Sequence, residues 1–70
     1  MAWSVEDVVD WARKFLNFDE EDQAVLRKNE FTVHRLLLVP NLEWLESHGL
    51  AGGPALDLWA EIERMKKLAA

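Results

Sequence analysis

Helix-starting residues recur at short intervals along this chain and divide it into segments too brief for anything but small helices. Ser4, Asp19, Thr32 and Asn41 each precede a cluster of apolar residues at helical spacing, and Gly52-Gly53-Pro54 precedes the last and longest one. Side chains of Ser, Thr, Asp and Asn accept the free amides of a first helical turn. Proline at a first helical position lacks only an amide that has no bond to make there. With helical apolar spacing and sparse turn signals, the chain reads as all-α.

The spacing predicts a first helix over residues 5–16, capped by Ser4, with Asp7 completing a capping box and Trp3 and Val8 forming a hydrophobic staple. Val5, Val8, Ala12, Phe15 and Leu16 form its inward face with Trp11 on the flank, and Asp10 is placed to pair with Lys14. A second helix spans 20–28, with Ala24, Val25 and Leu26 as its apolar residues, acids at its start and Arg27-Lys28 at its end. Thr32 opens a third over 33–38, with Phe31 stapled onto Leu36 and Pro40 as the stop. Asn41 opens a fourth over 42–48, which Gly49 ends in a left-handed turn. The last runs over 54–68 with Pro54 first and a stripe of Ala55, Leu58, Trp59, Ile62, Met65 and Ala69. The expected fold is a compact five-helix bundle, four short helices and a longer C-terminal one, forming a single domain over 1–70.

A chain of 70 residues has no room for a second core, and one this small buries only about 60% of its unfolded surface. It has no cysteine, which removes disulfides, zinc-thiolate sites and thiol nucleophiles and favours an intracellular location. The longest apolar run, residues 36–40, is far short of the ~20 residues that span a membrane. Glu6, Asp7 and Asp10 interrupt the first fifteen residues, so these do not read as a signal peptide. Thirteen acids against eight bases give a formal charge of −5, and no Lys or Arg lies between Arg35 and Arg64. Such a surface repels phosphate backbones, so nucleic acid is not an expected partner.

Trp3-Ser4-Val5-Glu6-Asp7-Val8 with Trp11, then Leu36-Leu37-Leu38, Glu43, Leu45, Gly49-Leu50 and Gly53-Pro54 opening an amphipathic helix, together resemble a sterile alpha motif (SAM) domain. The resemblance covers about residues 3–68. It implies a five-helix protein-interaction module that associates head to tail: a mid-loop surface around helices two to four docks on an end-helix surface at the start of helix five. A minority of the family binds RNA through a basic patch. This chain departs from the family at Phe31-Thr32-Val33-His34, at Pro40 and His48 where leucine is usual, and at Ala12. It also has no Lys or Arg near the start of helix five, where the end-helix surface normally carries them.

Asp19, Glu20, Glu21 and Asp22, with Glu30, Glu43 and Glu46, read either as a mid-loop surface for a basic partner or as a solvated face with helix caps. Trp44 points away from Leu42 and Leu45, as an interface anchor or as core in a sandwiched helix. At the start of helix five, Gly52, Gly53 and Pro54 leave the amides of Ala55 and Leu56 free for a partner's carboxylate, with Leu56 an exposed contact beside them; ordinary helix initiation is the other reading. Asp57 in the first turn and the small size of a dipole contact weigh against a tight site there. Trp3, Trp11 and Trp59 are expected in the core. His34 and His48 stand in no ligand-spaced cluster and read as capping or surface residues, so no metal or cofactor is expected. No Gly-rich phosphate loop, nucleophile elbow or HExxH helix is present, and so small a bundle is not expected to pocket a substrate, so the chain does not read as an enzyme.

The expected function is therefore a protein–protein interaction or oligomerisation module of a larger intracellular protein, pairing weakly with itself or with another SAM domain, and not with membranes or small molecules. Two alternatives stand beside it. Helices three and four could mimic a helix-turn-helix nucleic-acid binder, although the second would present Glu43 and Glu46 to the DNA. The domain could also be a purely structural helical cap.

Overall fold

The computed structural model describes residues 3–69, and four of the five helices open on a capping side chain. Ser4 accepts the amide of Asp7 while the Asp7 carboxylate accepts that of Ser4, a closed capping box that opens α1, Val5–Phe15. Asp19 opens α2, Glu20–Lys28, by accepting the amide of Asp22 at 2.9 Å. Thr32 opens α3, Val33–Leu36, and Asn41 opens α4, Leu42–Ser47, accepting the Trp44 amide at 2.8 Å. The last helix, α5, Gly52–Ala69, has no such side chain before it. No strand occurs among the described residues, and the chain is an all-α five-helix bundle.

Three helices are followed by a residue in the left-handed region. Gly49, at φ +112°, follows α4 as expected; Asn17 at φ 56° and Glu30 at φ 53° do the same after α1 and α2. At Glu30 its own amide donates to Arg27 O and that of Phe31 to Leu26 O, the paired bonds of a Schellman ending. Gly49 and Leu50 repeat the pattern on Glu46 O and Leu45 O.

The elements differ from expectation at five ends: α1 closes one residue early, at Phe15, and α5 one residue late, at Ala69. α3 stops at Leu36 and tightens into a turn in which Leu38 and Val39 donate to Arg35 O and Leu36 O, because Pro40 disfavours helical backbone at Val39. α4 stops at Ser47, with His48 as its C-cap. α5 starts two residues early, since Ala55 N already donates to Ala51 O at 2.9 Å. Pro54 is therefore the third helical residue, where its missing amide is still unneeded.

Every buried side chain among the described residues is apolar. Val8, Val9 and Ala12 of α1, Leu26 of α2, Leu36 of α3, Leu45 of α4, and Ala55, Leu58 and Ile62 of α5 meet with Phe18, Phe31, Val39 and Leu50 from the connections. α1 packs on α2, and α4 on α5. The Cα radius of gyration is 10.9 Å, against about 11 Å for a close-packed chain of this length. Phe15, expected to face inward, is instead 73% exposed. The buried sector of α1 is centred on Ala12 and takes in Val9, leaving Phe15, the last residue of the helix, at its margin. Ala24 of α2 is likewise exposed, and only Leu26 of that helix is fully buried. Trp3, Trp11 and Trp59 pack against the core but are half-buried. The Ala69 side chain lies outside the described residues.

Three long-range polar contacts brace the bundle, one of them from Asn29 Nδ2 to His48 O at 3.3 Å. Arg27 donates from two nitrogens to the Glu6 carboxylate at 3.0 and 3.2 Å, joining α2 to α1. Lys66 Nζ donates to Val39 O at 3.0 Å and lies 5.1 Å from the Trp59 ring centroid, joining α5 to the connection before α4. Asp10 pairs with Lys14 at 3.2 Å as expected, and with Arg13 at 2.6 Å.

Candidate protein-interaction surfaces

The acids of α2 divide by role. Asp19 is the cap; Glu20 and Glu21 are exposed in the first turn, at the positive end of the helix dipole. Asp22 is half-buried, and its carboxyl is held above the ordinary aspartate range, first by that burial and then by the negative charge of Asp19. Glu43 and Glu46 are exposed on α4. Glu30 is both a helix terminator and a loose partner of Arg35 at 3.8 Å. Residues 19–46 therefore carry seven acids against three bases, Arg27, Lys28 and Arg35.

Trp44 packs on the core without being fully covered. It is half-buried and packed on the core, its ring 5.7 Å from that of Phe31, and its other face is covered by His48, stacked at 3.6 Å with planes 19° apart. His48 Nδ1 lies 2.7 Å from Trp44 O, so this histidine closes the end of α4. The two rings form one wall of a shallow cleft of about 400 Å³, whose other sides are Phe31, Val39, Arg35 and the 68% exposed Leu38.

The start of α5 is more open than its sequence implies. The amides without a helical acceptor belong to Gly52 and Gly53, not to Ala55 and Leu56, because the helix begins earlier. Asp57 consequently falls in the second turn, and the first turn holds no acid. Nothing lies within 4 Å of where a Cβ would stand on either glycine. Leu56 is 57% exposed just beyond.

The feature that sequence reasoning missed is an apolar groove between α1 and α5. Trp3, Trp11, Val33, Met65 and the 79% exposed Leu68 line a hollow of about 130 Å³, and Trp3 and Trp11 also wall an adjoining one of about 260 Å³ that ends at Phe15. Its signal was the four-residue spacing of Trp11 and Phe15, set off-centre from Ala12, together with Leu68 beside the buried stripe of α5.

Among the described residues no three His, Cys, Asp or Glu side chains gather where a metal ion would sit, and no helix is long and apolar enough to cross a membrane. No known protein family, curated protein or solved structure matches this chain.

Proposed function

We propose that this domain is a SAM-type protein-interaction module of a larger intracellular protein, whose acidic mid-loop surface meets the start of α5 of a second domain. The observation that carries this reading is the start of α5, alone among the five helices in lacking a side-chain cap and exposing open glycines beside a bare leucine. A carboxylate from Glu20, Glu21, Glu43 or Glu46 of another domain answers those amides, and Leu56 meets the apolar rim of the Trp44 cleft. A helix-end contact supplies only ~0.3–1 kcal/mol and an exposed charge pair ~0.2–1 kcal/mol. The association is therefore weak, with a Kd in the micromolar range or above across an interface under ~1,600 Å². Lacking Lys and Arg at the start of α5, the domain pairs with another SAM domain or weakly with itself, and does not build a stable polymer.

Light scattering across a concentration series, at low and high salt, tests this. Salt-sensitive association that Leu56→Glu and Glu43→Lys each reduce is the expected result. A salt-resistant filament at micromolar concentration, or assemblies unchanged by both substitutions, refutes it.

A further inference from the structure

We infer that the groove between α1 and α5 is a second contact surface, and that its occupant is Phe15 of a second copy of this chain. It lies on a different face from the association proposed above and does not depend on it.

Size selects the occupant first. A dry apolar cavity of ~150 Å³ accepts a single benzene-sized ring, and the hollow bounded by Trp3, Trp11, Met65 and Leu68 measures about 130 Å³. It takes one aromatic side chain, not a helix. Phe15 is an aromatic side chain 73% exposed, and it stands at the end of the adjoining hollow against the same Trp3 and Trp11. Knob and groove thus share one face. That is the condition for a two-fold contact, in which each copy inserts its Phe15 into the other and assembly closes at two.

Charge selects it again. The ionic groups that line the two hollows are Asp7, Asp10 and Glu61 against Lys14 and Arg64, and Arg13 stands beside them through its pair with Asp10, so this face is close to neutral and most of the formal charge of −5 lies on the rest of the molecule. Asp10 is neutralised by Arg13 at 2.6 Å and Lys14 at 3.2 Å, and Glu61 by Arg64 at 3.9 Å. Where the acidic faces of two copies meet, they repel. Here their rims are neutral, and in a two-fold arrangement Asp10 of one copy can face Arg64 of the other. A strongly basic partner is drawn to the acidic faces and not to this one. Two tryptophans beside a largely exposed phenylalanine and leucine form the kind of aromatic cluster that concentrates binding energy.

The test is dilution of the isotopically labelled domain from ~1 mM to ~10 µM, the range in which small interfaces dissociate, with sedimentation velocity in parallel. The four tryptophan indole N–H signals report separate places. In the Leu56→Glu background, which removes the association proposed above, Trp3 and Trp11 are expected to shift on dilution as a dimer dissociates, while Trp44 and Trp59 hold still. Phe15→Lys and Leu68→Glu change side chains more than 70% exposed and leave the fold intact. Each is expected to weaken the dimer at least ~10-fold, the least that losing one buried aromatic or leucine contact costs. Leu56→Glu leaves it unchanged, and because the face is neutral the dimer constant is insensitive to salt. Three results overturn the inference: a monomer throughout with static Trp3 and Trp11 signals, as when the chain's own ends fill the groove; shifts centred on Trp44; or a dimer that Phe15→Lys leaves intact.

Discussion

Two glycines in this domain are expected to respond to the same substitution with opposite sign. Gly49 holds φ +112° after α4, and a Cβ built there would stand 3.3 Å from Val25 Cγ2 and 3.8 Å from Val25 Cγ1. Forcing an L residue into such backbone costs ~1–3 kcal/mol. Crowding the Val25 side chain adds to this, toward the lower end of the ~1–3 kcal/mol seen for overpacking, because Val25 is only half-buried. Alanine also stiffens the unfolded chain, which returns ~0.4–1 kcal/mol. Gly49→Ala should therefore destabilise the domain by about 2 kcal/mol net. With a total stability of ~3.5–10 kcal/mol for a chain this long, that lowers Tm by ~8–16 °C. Gly52 lies outside the left-handed region and has open space where its Cβ would go. Gly52→Ala keeps only the unfolded-state effect and should raise Tm by ~2–8 °C. Thermal unfolding followed by far-ultraviolet circular dichroism at one protein concentration measures both. A Gly49→Ala midpoint within ~2 °C of the parent, or both variants moving the same way, refutes the reasoning.

Leu45→Ala empties a fully buried position and should cost ~2–5 kcal/mol, a large share of the domain's total stability; a denaturant-derived loss under ~1 kcal/mol would mean that α4 does not pack as described. Asn41→Ala removes the cap on the Trp44 amide and should cost ~1 kcal/mol, with faster hydrogen exchange confined to the first turn of α4. The Asp22 carboxyl, raised by burial and by Asp19, takes up its proton in the folded state before the unfolded state does. Its ionisation therefore opposes folding at neutral pH, and that opposition is relieved as pH falls through the raised value toward 3.8. Asp10, lowered by its bonds to Arg13 and Lys14, does the reverse: its contribution is present above 3.8 and lost as pH falls through its lowered value. Carboxyl carbon titration by magnetic resonance should place Asp22 above Asp10, and the opposite order contradicts both assignments.

What could be read from the chain was what is decided within one helical turn. Ser4, Asp19, Thr32 and Asn41 all cap the helices assigned to them, because a short polar side chain three residues before a free amide needs nothing else to make its bond. The central residues of the α5 stripe, Ala55, Leu58 and Ile62, are buried for a similar reason, since a long helix sets their common face. Misplaced residues sit where a second element decides. Phe15 has the right phase for burial at the edge of α1, but the chain turns away at Asn17 and nothing covers it. Glu30 gave no sign of its left-handed backbone, which follows from how α2 must end before Phe31 enters the core. The groove beside Trp3 and Trp11 depends on residues of α1, α3 and α5 meeting around one hollow, a long-range fact that no local spacing contains.

The ammonium of Lys66 works as a latch. It joins the far end of the longest helix to a backbone carbonyl 27 residues earlier, on Val39, which itself forms part of the Trp44 cleft. Acetylation of that amine, or trimming of the final turns, would release the connection before α4 without touching the interior. The shape offered to a visiting chain at one pole of the domain is thereby tuned from the other.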